Sequence, residues 1–195
     1  VGSEMCIRDR FCGMIKDSVY LRDRQMRNLG GIKSMRKVVK FGGSSLASAA
    51  QFAKVGDIIR ADETRRYVVP SAPGKRNAKD TKVTDMLYSC YALAEAEEDF
   101  KGALKKIKER YNSIINGLNL TLSLEDEFRT IEKNFADKAG EDYAASRGEY
   151  LNGIIMANYL GYEFIDAAEV IFFDENAFDM EEEHLCPNCH RKVFE

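Results

Sequence analysis

Two short β-branched runs enclose a glycine-opened amphipathic segment, and that order constrains the chain more than any other feature. Val38-Val39-Lys40-Phe41 runs into Gly42-Gly43-Ser44-Ser45. Leu46 to Ala61 then sets Leu46, Ala49, Ala50, Phe52, Ala53, Val55, Ile58 and Ile59 largely on one helical face. Tyr67-Val68-Val69-Pro70-Ser71 follows as a second strand and stops at Pro73-Gly74. A helix between two strands predicts a parallel pair, because the crossover returns the chain to the end of the sheet where it began.

The remaining pattern is mostly helical. Lys75 to Lys82 is polar and charged and reads as a mobile loop. Thr84 or Asp85 would cap a helix carrying Leu87, Cys90, Tyr91 and Ala94. Leu104, Ile107, Tyr111, Ile114 and Leu118 form a second helical series, with Asn116-Gly117 as its stop. Phe128, Ile131 and Phe135 mark a third, up to Ala139-Gly140, and Glu141 to about Tyr159 a fourth, ended by Gly161. Tyr162 to Ile165 and Val170 to Phe173 read as further strands. The expected class is α/β with a mostly parallel sheet. The helical stretch from about 84 to 160 is too long for one crossover and should form a subdomain over one end of that sheet.

Composition narrows the function. The 195 residues leave room for one domain or one and a half, at about 100–200 residues each. Hydrophobic residues make up 45%, enough for a core. With 29 Lys and Arg against 32 Asp and Glu, the net −3 argues against a nucleic-acid partner, which needs a basic excess. No apolar run approaches the roughly 18 residues of a membrane span, and no signal-peptide core is visible. Residues 1–36 nevertheless hold eight Lys and Arg against four Asp and Glu. Asp9, Asp17 and Asp23 make this a poor transit peptide. It reads as a disordered or non-native leader, with Met35 as a natural start, so residues 1–34 are set apart from the fold. Five cysteines form no disulfide framework, and a cytoplasmic location fits best.

Three segments could carry chemistry. In Lys40-Phe41-Gly42-Gly43-Ser44-Ser45, glycines let backbone N–H groups approach an anion, the following helix would add its dipole, and lysine supplies a point charge. A plain strand-to-helix turn explains the same residues. Neither the P-loop pattern G-x-x-x-x-G-K-[ST] nor G-x-G-x-x-G is present. Ser71, in Val69-Pro70-Ser71-Ala72-Pro73-Gly74, would stand at a strand's carboxyl end, where open parallel sheets bind ligands. A turn role explains Ser71 as well, and capping explains Thr84. In Ser146-Arg147-Gly148-Glu149-Tyr150-Leu151, a mid-helix glycine costs about 1 kcal/mol relative to alanine. It needs a ligand or another backbone close by. Glu149 beside it could bind an ammonium group, or simply be solvated.

Taken in order with Thr81-Lys82-Val83-Thr84-Asp85-Met86-Leu87 and Phe164-Ile165-Asp166-Ala167-Ala168-Glu169-Val170-Ile171, these segments closely resemble the aspartate kinases of the amino-acid kinase superfamily. The resemblance covers about residues 36–180. It implies a three-layer αβα domain, incomplete here, of which residues 35–180 are the amino-terminal, amino-acid-binding part. It implies transfer of the γ-phosphoryl of ATP, with Mg2+, to the side-chain carboxylate of L-aspartate, the opening step towards lysine, threonine and methionine. Lys40 would be catalytic and contact the ATP phosphates, with Gly42, Gly43 and Ser44 as the backbone cradle. Ser71 and Thr84 would hold aspartate, and Glu149 would pair with its α-ammonium. Full-length members of the family are expected to be homo-oligomers. A fragment lacking the later Gly-rich Arg and Asp segment would have no useful activity alone.

Beyond Met180 the pattern ends, and residues 181–195 read as a separate tail. Cys186, Cys189 and His184 or His190 have the composition of a zinc half-site, and Cys186-Pro187-Asn188-Cys189-His190 also matches the c-type haem string. Two alternatives to an aspartate kinase fragment therefore stand: another amino-acid kinase, or a non-catalytic binding protein with a zinc tail.

Overall fold

The structure is a computed structural model that describes the backbone of residues 14–16 and the whole of residues 36–170. Its sheet has the order β2-β3-β1-β4, formed by β1 (Met14–Lys16), β2 (Lys37–Phe41), β3 (Arg65–Pro70) and β4 (Glu163–Ile165). β2 and β3 are parallel, with Val39 opposite Val68 and Lys40 opposite Val69. β1 lies antiparallel to both β3 and β4, so β2, β3 and β4 all run one way. Three of the four strands thus share the expected direction, with the parallel pairing itself between β2 and β3. The antiparallel member comes from the segment that sequence reasoning set apart.

The crossover differs from expectation at its start. Gly43–Leu46 winds as a 3-10 turn, and helix α1 (Ala49–Arg60) begins only after Ser48. Glycine and serine suit turns and caps better than helix interiors, so Gly43-Ser44-Ser45 forms the turn and α1 begins after Ser48. α1 buries Phe52, Val55 and Ile59.

Four helices follow: α2 (Val83–Glu95), α3 (Lys101–Gly117), α4 (Glu125–Ala136) and α5 (Glu141–Leu160). The 3.6-residue spacing places Ile107, Tyr111 and Ile114 of α3 and Phe128, Ile131 and Phe135 of α4 in one core. There Tyr91 meets Phe135 edge to face at 5.3 Å. α5 is buried on several faces, because it packs against the sheet as well as against α1, α2 and α4. Gly161, at φ 70, ends it in the left-handed conformation, with the Tyr162 N–H returning to the Ala157 carbonyl at 2.9 Å.

Three expectations are corrected. Neither Thr84 nor Asp85 caps α2: the N-cap is Lys82, with no side-chain cap bond, and both residues lie inside the first turn. The loop from Lys75 to Lys82 is tied down, since Asp80 accepts hydrogen bonds from Arg76 and Arg110. Val170 closes a short helix α6 (Ala167–Val170) instead of opening a strand. Asp166 starts that helix by accepting the Ala168 N–H at 3.0 Å. Residues 171–173 lie outside the described residues.

Candidate functional site

The parallel pairing of β2 and β3 sends two loops off the same edge of the sheet. The Ser71 N–H donates to the Phe41 carbonyl at 2.9 Å, extending the ladder one residue past β3. Just beyond, the Gly74 N–H donates to the Gly43 carbonyl at 2.8 Å. Here backbone meets backbone. A Cβ on Gly43 would lie 2.6 Å from the Ala72 carbonyl oxygen, and one on Gly74 would lie 2.6 Å from the Gly43 carbonyl carbon. Only glycine fits at either position.

Lys40 is exposed on β2, one residue before its end, and Gly42 has open space where a side chain would be. Ser44 is exposed in the 3-10 turn. The dipole expected behind this loop belongs to a single 3-10 turn, because α1 starts three residues later.

The turn from Ser71 to Gly74 reaches α2 and α5. The Val83 N–H donates to the Pro73 carbonyl at 3.0 Å, bringing the first turn of α2 against the turn. Thr84 is buried there. From α5, Glu149 Oε1 accepts the Ala72 N–H at 3.1 Å, and Asn152 Nδ2 donates to the Ser71 carbonyl at 2.6 Å. The mid-helix glycine is explained by the same approach: a Cβ on Gly148 would sit 2.7 Å from Ala72 Cβ and 3.3 Å from Leu87 Cδ1. Glu149 is thus anchored to backbone, and its helix is set against Ser71 and Ala72.

Sequence reasoning missed three polar contributors. Asn152 is fully buried, and Arg110 and Tyr111 of α3 are buried beneath the loops. Burial, followed by the Glu149 carboxylate, drives the Tyr111 phenol well above its usual range. Arg147 stacks between Tyr143 and Tyr150, its guanidinium carbon 4.5 and 4.4 Å from their ring centroids. The tail residues His184, Cys186, Cys189 and His190 lie outside the described residues. Among the described residues, no group of three or more His, Cys, Asp or Glu side chains could hold a metal. None of the described helices is long and apolar enough to cross a membrane.

A lysine and a glycine loop thus leave one strand, and hydroxyls and a carboxylate stand on the adjoining turn and helices. Residues 35–195 match the amino acid kinase family, and the chain belongs to that family. The match runs past residue 180, where sequence reasoning closed the domain. Aspartokinase 3 of Bacillus subtilis is 41% identical over 143 residues, 69% of this chain and 31% of the relative. The aspartate kinase of Clostridium acetobutylicum, known from its crystal structure, is 52% identical with a TM-score of 0.69, over 71% of this chain and 32% of that one. The aspartokinase III of E. coli, crystallised with aspartate and ADP, is 24% identical with a TM-score of 0.51, over 68% of this chain and 29% of that one. That last likeness concerns the fold alone. The chain spans about a third of the length of these relatives.

Proposed function

We propose that this chain supplies the amino-acid-binding part of an aspartate kinase. In the reaction, a side-chain carboxylate oxygen of L-aspartate bonds to the γ-phosphorus of ATP. The bond to the β–γ bridging oxygen breaks, and its electron pair leaves on ADP. Such a transfer demands positioning and charge neutralisation more than covalent help from the protein. Lys40 offsets charge on the transferred phosphoryl group, and Gly42, Gly43 and Ser44 present backbone N–H groups beside it. Ser71 and Thr84 hold the aspartate, and Glu149 takes its ammonium. Mg2+ belongs to the nucleotide substrate in this reading and shields its phosphates on entry. Homo-oligomer formation belongs to the same proposal for the longer protein.

The observation that carries the reading is the backbone contact between Gly43 and Gly74. It joins the phosphate loop to the substrate turn with nothing between them. The identity to two aspartate kinases favours aspartate over other acceptors and over a non-catalytic zinc protein. Calorimetric titration of the chain with L-aspartate tests it. Saturable binding is expected, weakened about tenfold or more by Glu149→Gln through the lost ion pair. Glutamate binding as tight as aspartate would point to a sister kinase. In an ATP-dependent aspartyl-hydroxamate assay the chain alone is expected to be inactive, and turnover near that of a complete aspartate kinase would contradict the fragment reading.

A further inference from the structure

We propose that Arg110 is a positioning residue: it locks the glycine loop to the substrate turn and thereby sets the affinity of the site for its amino acid. The proposal rests on the reading of the site given above. Arg110 belongs to α3, outside every motif that points to function, and is only 5% exposed. Its Nη1 donates to Asp80 Oδ2 at 2.6 Å. Its Nη2 donates to the Gly74 carbonyl at 2.7 Å and the Ala47 carbonyl at 3.1 Å. Ala47 closes the 3-10 turn opened by Gly43, Gly74 closes the substrate turn, and Asp80 holds the charged loop that leads to α2. The next residue completes the set, for the Tyr111 hydroxyl donates to the Gly148 carbonyl at 2.8 Å, beside Glu149. Two adjacent residues of one helix therefore contact the end of the 3-10 turn at Ala47, the turn at Gly74, the loop at Asp80 and α5 at Gly148.

The chemistry of the side chain fits this task. A buried ion pair adds little net stability over apolar packing, so stability alone is a weak reason for a guanidinium here. What the planar fork offers is several donors in fixed directions, enough to serve two carbonyls and a carboxylate at once. A lysine could keep the charge beside Asp80, but it lacks the second nitrogen by which Arg110 reaches Asp80 and the two carbonyls from separate atoms.

The test compares the 195-residue chain with Arg110→Lys, Arg110→Met and Asp80→Asn. L-aspartate affinity, thermal midpoint and the backbone amide resonances of Gly43 and Gly74 are followed in each. Asp80→Asn keeps both carbonyl contacts and is expected to melt lower while binding aspartate within about twofold of the parent. Arg110→Lys is expected to shift the Gly74 amide and to lose about tenfold or more in affinity, the scale of a lost charged hydrogen bond. Should Arg110→Met fail to fold, Arg110→Lys carries the test. Parent-like binding by Arg110→Lys overturns the proposal, as do affinity losses that track the melting temperature equally in Arg110→Lys and Asp80→Asn. A parent chain that takes up no aspartate brings down the reading of the site and this proposal together. A parent that binds beside an indifferent Arg110→Lys brings down this proposal alone.

Discussion

Glu149 and Asn152, three residues apart on α5, hold the two poles of a single peptide unit. Glu149 accepts the N–H of Ala72 at 3.1 Å and Asn152 donates to the carbonyl of Ser71 at 2.6 Å. The Ser71 N–H, part of the preceding peptide, is engaged by Phe41 at 2.9 Å, so the peptides on the two sides of Ser71 are held from the sheet and from the helix. The backbone of Ser71 is used up, and its hydroxyl is what it can offer a ligand.

Asn152→Leu keeps the branched outline, though with more bulk, and leaves the Ser71 carbonyl without its partner. A stability loss of about 1–3 kcal/mol is expected in urea unfolding, the range for an unsatisfied buried acceptor. Asn152→Asp, which sets a carboxylate against that carbonyl, should lose more. A smaller loss for aspartate than for leucine would mean that the amide does not donate there.

Gly148→Ala sets two effects against each other. Helix propensity favours alanine by about 1 kcal/mol. The new methyl group, however, meets Ala72 Cβ at 2.7 Å. Overpacking of this kind costs about 1–3 kcal/mol, and Ala72 has no rotamer by which to yield. Net destabilisation and weaker aspartate binding are expected, and a higher urea midpoint would show that the turn gives way.

Acid should weaken the fold through Asp80 and Asp62. Arg76 first, then Arg110, hold Asp80 well below the ordinary carboxylate range. Lys37 first, then Thr64, do the same for Asp62. Both return to about 3.8 on unfolding, so the unfolded chain takes up protons first as pH falls. Their stabilisation is complete above that value and is lost progressively below it. The thermal midpoint should fall below about pH 4, and less steeply in Asp80→Asn. An unchanged acid slope in that variant would exclude Asp80 as a source.

Cys90 is fully buried, its thiol donating to the Phe100 carbonyl at 3.6 Å, and burial pushes its pKa up to about 11. At pH 8 it stays protonated and should resist iodoacetamide until the chain unfolds. Peptide mass spectrometry reads this directly. Native alkylation at the rate of an exposed thiol would contradict the closure of α2 over the start of α3.

Most of the scaffold could be read locally, because a helix that buries one face writes its period into the chain. Ile107, Tyr111 and Ile114, or Phe128, Ile131 and Phe135, needed no partner to be recognised. The mid-helix Gly148 signalled a close approach, although the atoms that make it are the side chains of Ala72 and Leu87 and not the expected ligand or backbone. Polar residues at the site were harder, because their partners lie far along the chain. Arg110 meets Asp80, Gly74 and Ala47 at separations of 30, 36 and 63 residues, and Asn152 meets Ser71 at 81. One local signal existed. Arg110 lies three residues after Ile107 and four before Ile114, a charge on the apolar stripe of α3. The cap of α2 was misjudged for a simpler reason, since threonine and aspartate suit the first turn as well as the position before it.

The contact between Gly43 and Gly74 also limits how such a site could be redesigned. Since main chain touches main chain, the spacing of the two loops follows from bond lengths and van der Waals radii, with no exchangeable group to lengthen or shorten it. A library that randomised either glycine would sample only broken versions of the same gap. In the proposed site, a change of acceptor length would fall instead to Ser71, Thr84 and Glu149, whose side chains can be exchanged.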